Sequence, residues 1–154
     1  MSNDLSTEKQ DLSIAQKDLD VAKSALSWHS IALCKGSSLI VDDKHGIRPM
    51  LDYIVQNVDL SRYSVADIVV GKAVATLFVY SKISAVYARV LSKSALDYLV
   101  NHEIYVEYDT IVDNISNRAG DGICPMELCV ADIDDAKEAY IALKNKVEQM
   151  QMHK

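Results

Sequence analysis

The chain has 154 residues, 49% of them hydrophobic and 25% charged, and a formal net charge of −6. That length fits one domain, and that composition an ordinary globular protein. The acidic balance argues against a general nucleic-acid or membrane-surface binder, both of which need basic surface, and no apolar run approaches the roughly 20 residues that span a bilayer.

The N-terminal MSNDLSTEKQ lacks the basic-then-apolar layout of a signal peptide. The cysteines Cys34, Cys124 and Cys129 are sparse and odd in number, so they are expected to be reduced thiols in a cytoplasmic protein. Residues 1–8 are polar and expected to fray. Leu12, Ala15, Leu19, Ala22 and Leu26 then recur at spacings of three and four, which predicts an amphipathic helix with one buried stripe. The runs SIALC at 30–34 and SLIV at 38–41 flank Lys35-Gly36-Ser37 and predict a β-hairpin, with Gly36 supplying a positive φ. After the polar loop 42–46, Pro49 suits the first position of a helix reaching about residue 57.

The stretch SVADIVVGKAVATLFVY at 64–80 is apolar nearly all round, with only Asp67 and Lys72 charged. It predicts a buried helix, capped by Ser64, with Asp67 completing a capping box. Residues 85–91 predict a strand, a helix follows from Ser92 or Ser94 to about His102, and 104–108 is a second strand; helix-then-strand order implies parallel pairing. Residues 109–123 are the least regular. A short helix over 124–130 follows, then a last helix capped by Asp134 with Ala136, Ala139, Tyr140, Leu143 and Val147 inside. These elements add up to an α/β domain with a four-stranded mixed sheet between helices.

Two places invite chemistry. In GICPMELC at 122–129, Pro125 suits a first helical turn and puts Cys124 at or beside the N-cap. Free N–H groups there favour a thiolate. The preceding Asn117, Arg118, Gly120, Asp121 and Gly122 fit an anion-binding loop. Equally, Cys124 suits a small buried residue at a turn, and Glu127 suits the dipole of its own first turn. In the second place, Lys72 follows Gly71 inside an apolar helix. Glycine there suggests close approach of another backbone or of a ligand, while the lysine either serves that ligand or runs its stem along the core into water. Arg48 at the start of the 49–57 helix is a third cation for an anionic ligand, or a surface arginine.

No metal or cofactor is expected. A zinc deaminase needs H-x-E at one helix start and P-C-x-x-C at the other. Here Gly71-Lys72-Ala73 stands in the first, and Cys124-Pro125 reverses the second, with Cys129 five positions on. Walker-type and Gly-x-Gly-x-x-Gly phosphate loops are absent.

Three segments together, GIRPML at 46–51, SVADIVVGKAVA at 64–75 and NRAGDGICPMEL at 117–128, resemble a family of small, functionally uncharacterised prokaryotic proteins with a cytidine-deaminase-like fold. The resemblance runs from about Asp18 to about Leu143. It implies a three-layer α/β/α domain with a mixed sheet of four to five strands and without the zinc ligands of true deaminases. It also implies that Asp67, Gly71, Lys72 and Cys124 lie near one pocket. The expected function is zinc-independent binding of a small anionic or nucleotide-like ligand, with thiol chemistry at Cys124 assisted by Asp67 and Lys72. The expected binding residues are Arg48, Gly71, Lys72, Asn117, Arg118, Gly120, Gly122 and Glu127. The alternative is a non-catalytic sensor or self-associating module. No nucleic-acid or membrane partner is expected; a homo-oligomer is, because the terminal helices carry long apolar stripes.

Overall fold

A computed structural model describes residues 5–152. The elements are α1 (Leu5–Ala25), a 3₁₀ turn (Leu26–Trp28), β1 (Ile31–Lys35), β2 (Ser38–Asp42), α2 (Arg48–Val55), β3 (Ser64–Val70), α3 (Lys72–Tyr80), β4 (Ala85–Ser92), α4 (Lys93–Asn101), β5 (Tyr105–Val112), α5 (Pro125–Val130) and α6 (Ala136–Met152). The strands form one five-stranded sheet in the order β2-β1-β3-β4-β5. β1 runs antiparallel to β2 and β3, while β3, β4 and β5 are mutually parallel. The hairpin forms as expected, with Gly36 at φ +58°, but its turn is one residue shorter than the Lys35-Gly36-Ser37 break implied, because Lys35 pairs with Ser38.

The 64–80 stretch differs from expectation: it is a strand followed by a helix. Val65, Ile68, Val69 and Val70 make Ser64–Val70 rich in β-branched residues. A central parallel strand is covered on both faces, so it shows a continuous apolar run instead of alternation, and periodicity cannot separate it from a buried helix. Ser64 caps nothing; its Oγ donates to the Ala15 carbonyl at 2.8 Å, tying β3 to α1. Asp67 belongs to no capping box, and this strand supplies the fifth member of the sheet.

Other boundaries shift less. β5 runs on to Val112, into the stretch expected to be irregular. Ser92 caps α4, accepting from the Ala95 N–H at 3.1 Å. The last helix is capped by Asp135, whose carboxylate accepts from the Glu138 N–H at 2.9 Å, and not by Asp134. Residues 5–8, expected to fray, lie within α1; the first four lie outside the described residues.

The two sheet faces keep different company. Ala32, Cys34, Ala66, Ala85 and Tyr87 meet Ala15, Leu19 and Ala22 of α1, together with Leu26. Small residues on both sides let that helix lie close to the strands. Leu33, Val65, Val86 and Ala88 face a larger core built with Met50 of α2, Leu77 and Phe78 of α3, Leu99 of α4 and Leu143 of α6. The result is a three-layer α/β/α domain. Ala15, Leu19, Ala22 and Leu26 of the first stripe and Ala139 and Leu143 of the last are buried within the chain, while Leu12 stays exposed. Among the described residues, no helix is long and apolar enough to cross a membrane.

Candidate functional site

The strand-to-helix junction that ends β3 organises the site. α3 starts at Lys72 with its first N–H groups unpaired by its own backbone, as every helix does. Here they have a partner from far along the chain. The Glu127 carboxylate accepts from the Lys72 N–H through Oε1 and from the Ala73 N–H through Oε2, both at 2.8 Å. A negative group at the positive end of a helix is favourable on both counts, charge and hydrogen bonding. Gly71 makes this possible. Its φ is −104°, which any residue adopts, but a Cβ there would stand 2.4 Å from Glu127 Oε1 and 2.6 Å from its Cδ. The close approach inferred from this glycine is therefore that of a carboxylate within the chain.

Beside this junction lies a cavity of about 280 Å³. Its walls come from β3 (Asp67, Ile68, Val69), the start of α3 (Gly71, Ala73, Val74), the β2–α2 loop (Lys44, His45, Gly46, Ile47) and the approach to α5 (Ile115, Cys124, Met126, Glu127), with Ser30 and Ile31 closing it. Asp67 is 8% exposed. Its Oδ1 accepts from the Ile68 N–H at 2.8 Å, whereas Oδ2 is buried and has no hydrogen-bond partner among the described residues. Among the described residues no cation sits beside it, so burial dominates and pushes its carboxyl up to about 8; the backbone N–H groups of Ile68 and Val69 pull the other way but less. That shift favours the uncharged acid at neutral pH.

Cys124 is the N-cap of α5, with Pro125 following as expected, and it lines the same cavity as Asp67 and Glu127. Lys72 does not. Its backbone is at the junction, but its side chain turns away into a second hollow, where Nζ donates to the Ala131 carbonyl at 3.1 Å and lies 3.4 Å from Asp134 Oδ1. Arg48 is on the surface, and its guanidinium donates to the Gln151 amide oxygen at 3.0 Å. Asn117 folds its own loop: Oδ1 accepts from the Gly120 N–H at 2.8 Å, and Nδ2 donates to Asp121 at 3.0 Å. Gly120 takes φ +76° in that turn. Arg118, Gly120 and Gly122 line neither the cavity nor the hollow holding Lys72.

The expected set therefore divides. Asp67, Gly71, Cys124 and Glu127 come together; Arg48, Asn117, Arg118, Gly120, Gly122 and the Lys72 ammonium do not. The loop residues Lys44 and His45, and Ser30, whose Oγ donates to the Lys44 carbonyl at 2.6 Å, were not anticipated. Only the nearness of the polar 42–46 loop to GIRPML hinted at them. Among the described residues, no group of three or more His, Cys, Asp or Glu side chains is placed to hold a metal ion.

The family described as TM1506, domain of unknown function DUF1893, matches residues 21–147. The chain belongs to the DUF1893 family. No curated protein matches the chain. A crystal structure of a DUF1893 family protein, TM1506 from Thermotoga maritima, is similar with a TM-score of 0.74 and 24% identity, over 87% of this chain and 90% of that one. At that identity the likeness speaks for the fold. This DUF1893 domain thus shares its mixed α/β architecture with that protein, and the family name assigns no activity.

Proposed function

We propose that the domain binds a small organic molecule in the cavity at the β3–α3 junction, without zinc, and that the cavity corresponds to the pocket of a deaminase-like fold. The observation that carries this reading is the buried, partnerless Oδ2 of Asp67 on the cavity wall. A buried polar atom without a partner costs about 1–3 kcal/mol, and a ligand that satisfies it recovers that cost. The volume of about 280 Å³ lies just under the usual range for drug-sized ligands. It suits a single heterocycle, a nucleobase-like body more than a whole nucleotide. The side chains of Lys72, Arg48 and Arg118 lie elsewhere, so the wall gives an anionic group little to hold. Cys124 is the group available for covalent chemistry, with Asp67 as a proton donor on the same wall.

The test is a thermal-shift screen of nucleobases, nucleosides and nucleotides, combined with iodoacetamide labelling. A binder raises Tm, and Asp67→Asn weakens its binding about tenfold, the worth of one buried hydrogen bond. Bound ligand protects Cys124 from alkylation. Cys34 is the internal control: it is 1% exposed, and burial pushes its thiol up, so it labels only on unfolding. Labelling of Cys124 that no stabilising compound slows would remove the cysteine from the site, and a screen without any stabilising compound would remove the site itself.

A further inference from the structure

The polar inventory of this cavity is lopsided. Its ionisable side chains are Asp67 from β3, Glu127 from α5, Cys124 at the N-cap of α5, and Lys44 and His45 from the β2–α2 loop. The two basic candidates are exposed, and the Lys44 ammonium is already held by Asp52 at 2.9 Å. Glu127 has its charge matched by the N–H groups of α3. Among the described residues Asp67 has no such match: the Ile68 N–H donates to Oδ1, the Val69 N–H adds a weaker pull, and Oδ2 has no hydrogen-bond partner. A buried carboxyl on a cavity wall with no cation of its own has room for one of two partners: an acceptor for its O–H while it is protonated, or, once ionised, a group that brings N–H donors and positive charge together.

We infer that the ligand of this cavity is a small nitrogen base bound as its cation, an amidine, guanidine or amine, with Asp67 as its counter-ion and one proton released on binding. This rests on the binding reading above and specifies the ligand class. Among the described residues an anion would meet two carboxyl groups and no free cation deeper than the rim. A cation meets a second favourable field as well, since the chain carries a net charge of −6 and draws positive solutes toward it.

Proton release follows from the empty state. Burial holds Asp67 protonated up to about pH 8. A cation placed against it favours the carboxylate and pulls that value down. The proton leaves to solvent, the O–H bond of Asp67 breaking heterolytically, and no covalent bond forms to the ligand. The sign is fixed by that order of events. Below about pH 8 the proton must be removed before the ion pair forms, so affinity rises about tenfold per pH unit; above it the gain levels off. A neutral amide that accepts from the Asp67 O–H gives the opposite trend, losing affinity as pH passes 8.

Three isosteric probes separate the classes: benzamidine, benzamide and benzoate, titrated calorimetrically into the full-length protein from pH 6 to 9 in buffers of differing ionisation enthalpy. Benzamidine is expected to bind at millimolar concentration or better, to tighten about tenfold per pH unit up to about 8, and to release close to one proton below that pH. Asp67→Asn, which keeps the shape, is expected to abolish the pH dependence; Asp67→Glu, a second carboxyl, is expected to retain it. Benzamide or benzoate binding as well as benzamidine, benzamidine binding without proton release, or no saturable benzamidine binding at pH 8.5 overturns the inference. In each of those cases the wider ligand screen still decides the binding reading, because a neutral or anionic compound that protects Cys124 leaves that reading standing.

Discussion

Replacing Asp67 by asparagine should flatten the stability of this protein against pH. The Asp67 carboxyl titrates near 3.8 when the chain is unfolded and at about 8 in the fold, because burial without a cation penalises its charge. Between those values the native state holds a proton that the unfolded state has lost. Stability then falls as pH rises, by about 1.4 kcal/mol per unit, and stops falling above about 8. The direction is opposite to that of an ordinary salt-bridged aspartate, whose contribution grows on the same path. At pH 7 the penalty from this one group is on the order of 4 kcal/mol. Asparagine keeps the acceptor that faces the Ile68 N–H and cannot ionise. Urea titrations at pH 5, 7 and 8.5 should therefore show the variant gaining on the parent as pH rises, with equal m-values. A gap that does not widen with pH would mean that Asp67 is charged in the fold.

The second large effect joins residues 56 positions apart. Glu127→Ala removes two charge-assisted hydrogen bonds from the start of α3 and is expected to cost about 2–3 kcal/mol. Gly71→Ala should cost nearly as much for the same reason. Its new Cβ takes the space of the Glu127 carboxylate, which must retract from both N–H groups, while the backbone at φ −104° accepts alanine without strain. The pair should therefore be strongly non-additive. In a Glu127→Ala background, Gly71→Ala should cost close to nothing, giving a coupling of about 2 kcal/mol in a double-mutant cycle. Additive losses would show that the glycine serves something other than this carboxylate.

Much of the fold was legible from local chemistry. Gly36 between two β-rich runs marked the hairpin, the serines at 92 and 94 the neighbourhood in which α4 starts, and Pro125 the start of α5 with Cys124 at its cap. The central stretch was misread because a strand covered on both faces has no period of two to display. That error carried into the site. As a helix, 64–80 made Asp67 a capping residue and put Lys72 in the middle of a run. As strand and helix, it leaves Asp67 on a sheet face and puts Lys72 at a helix start. Side-chain direction was the other missing quantity. Sequence spacing brings Lys72 and Glu127 to the same junction only through the fold, and nothing in it tells that the lysine ammonium turns toward Ala131 and Asp134 while the glutamate fills the helix end. The cations expected around an anion were legible as residue types, but not as neighbours.

The layering has a consequence for how the molecule breathes. One face of the sheet is covered by α1, through the Ser64–Ala15 bond, the Lys23–Glu107 ion pair at 2.9 Å and a strip of alanines. Asp67, Gly71, Cys124 and Glu127 all belong to the opposite side. A transient detachment of α1 exposes that strip without disturbing the junction that Glu127 holds. Amide hydrogen exchange should then report two populations, α1 opening at lower free energy than α3 and the parallel strands. Filling the cavity should slow exchange in α3 while leaving α1 as it was.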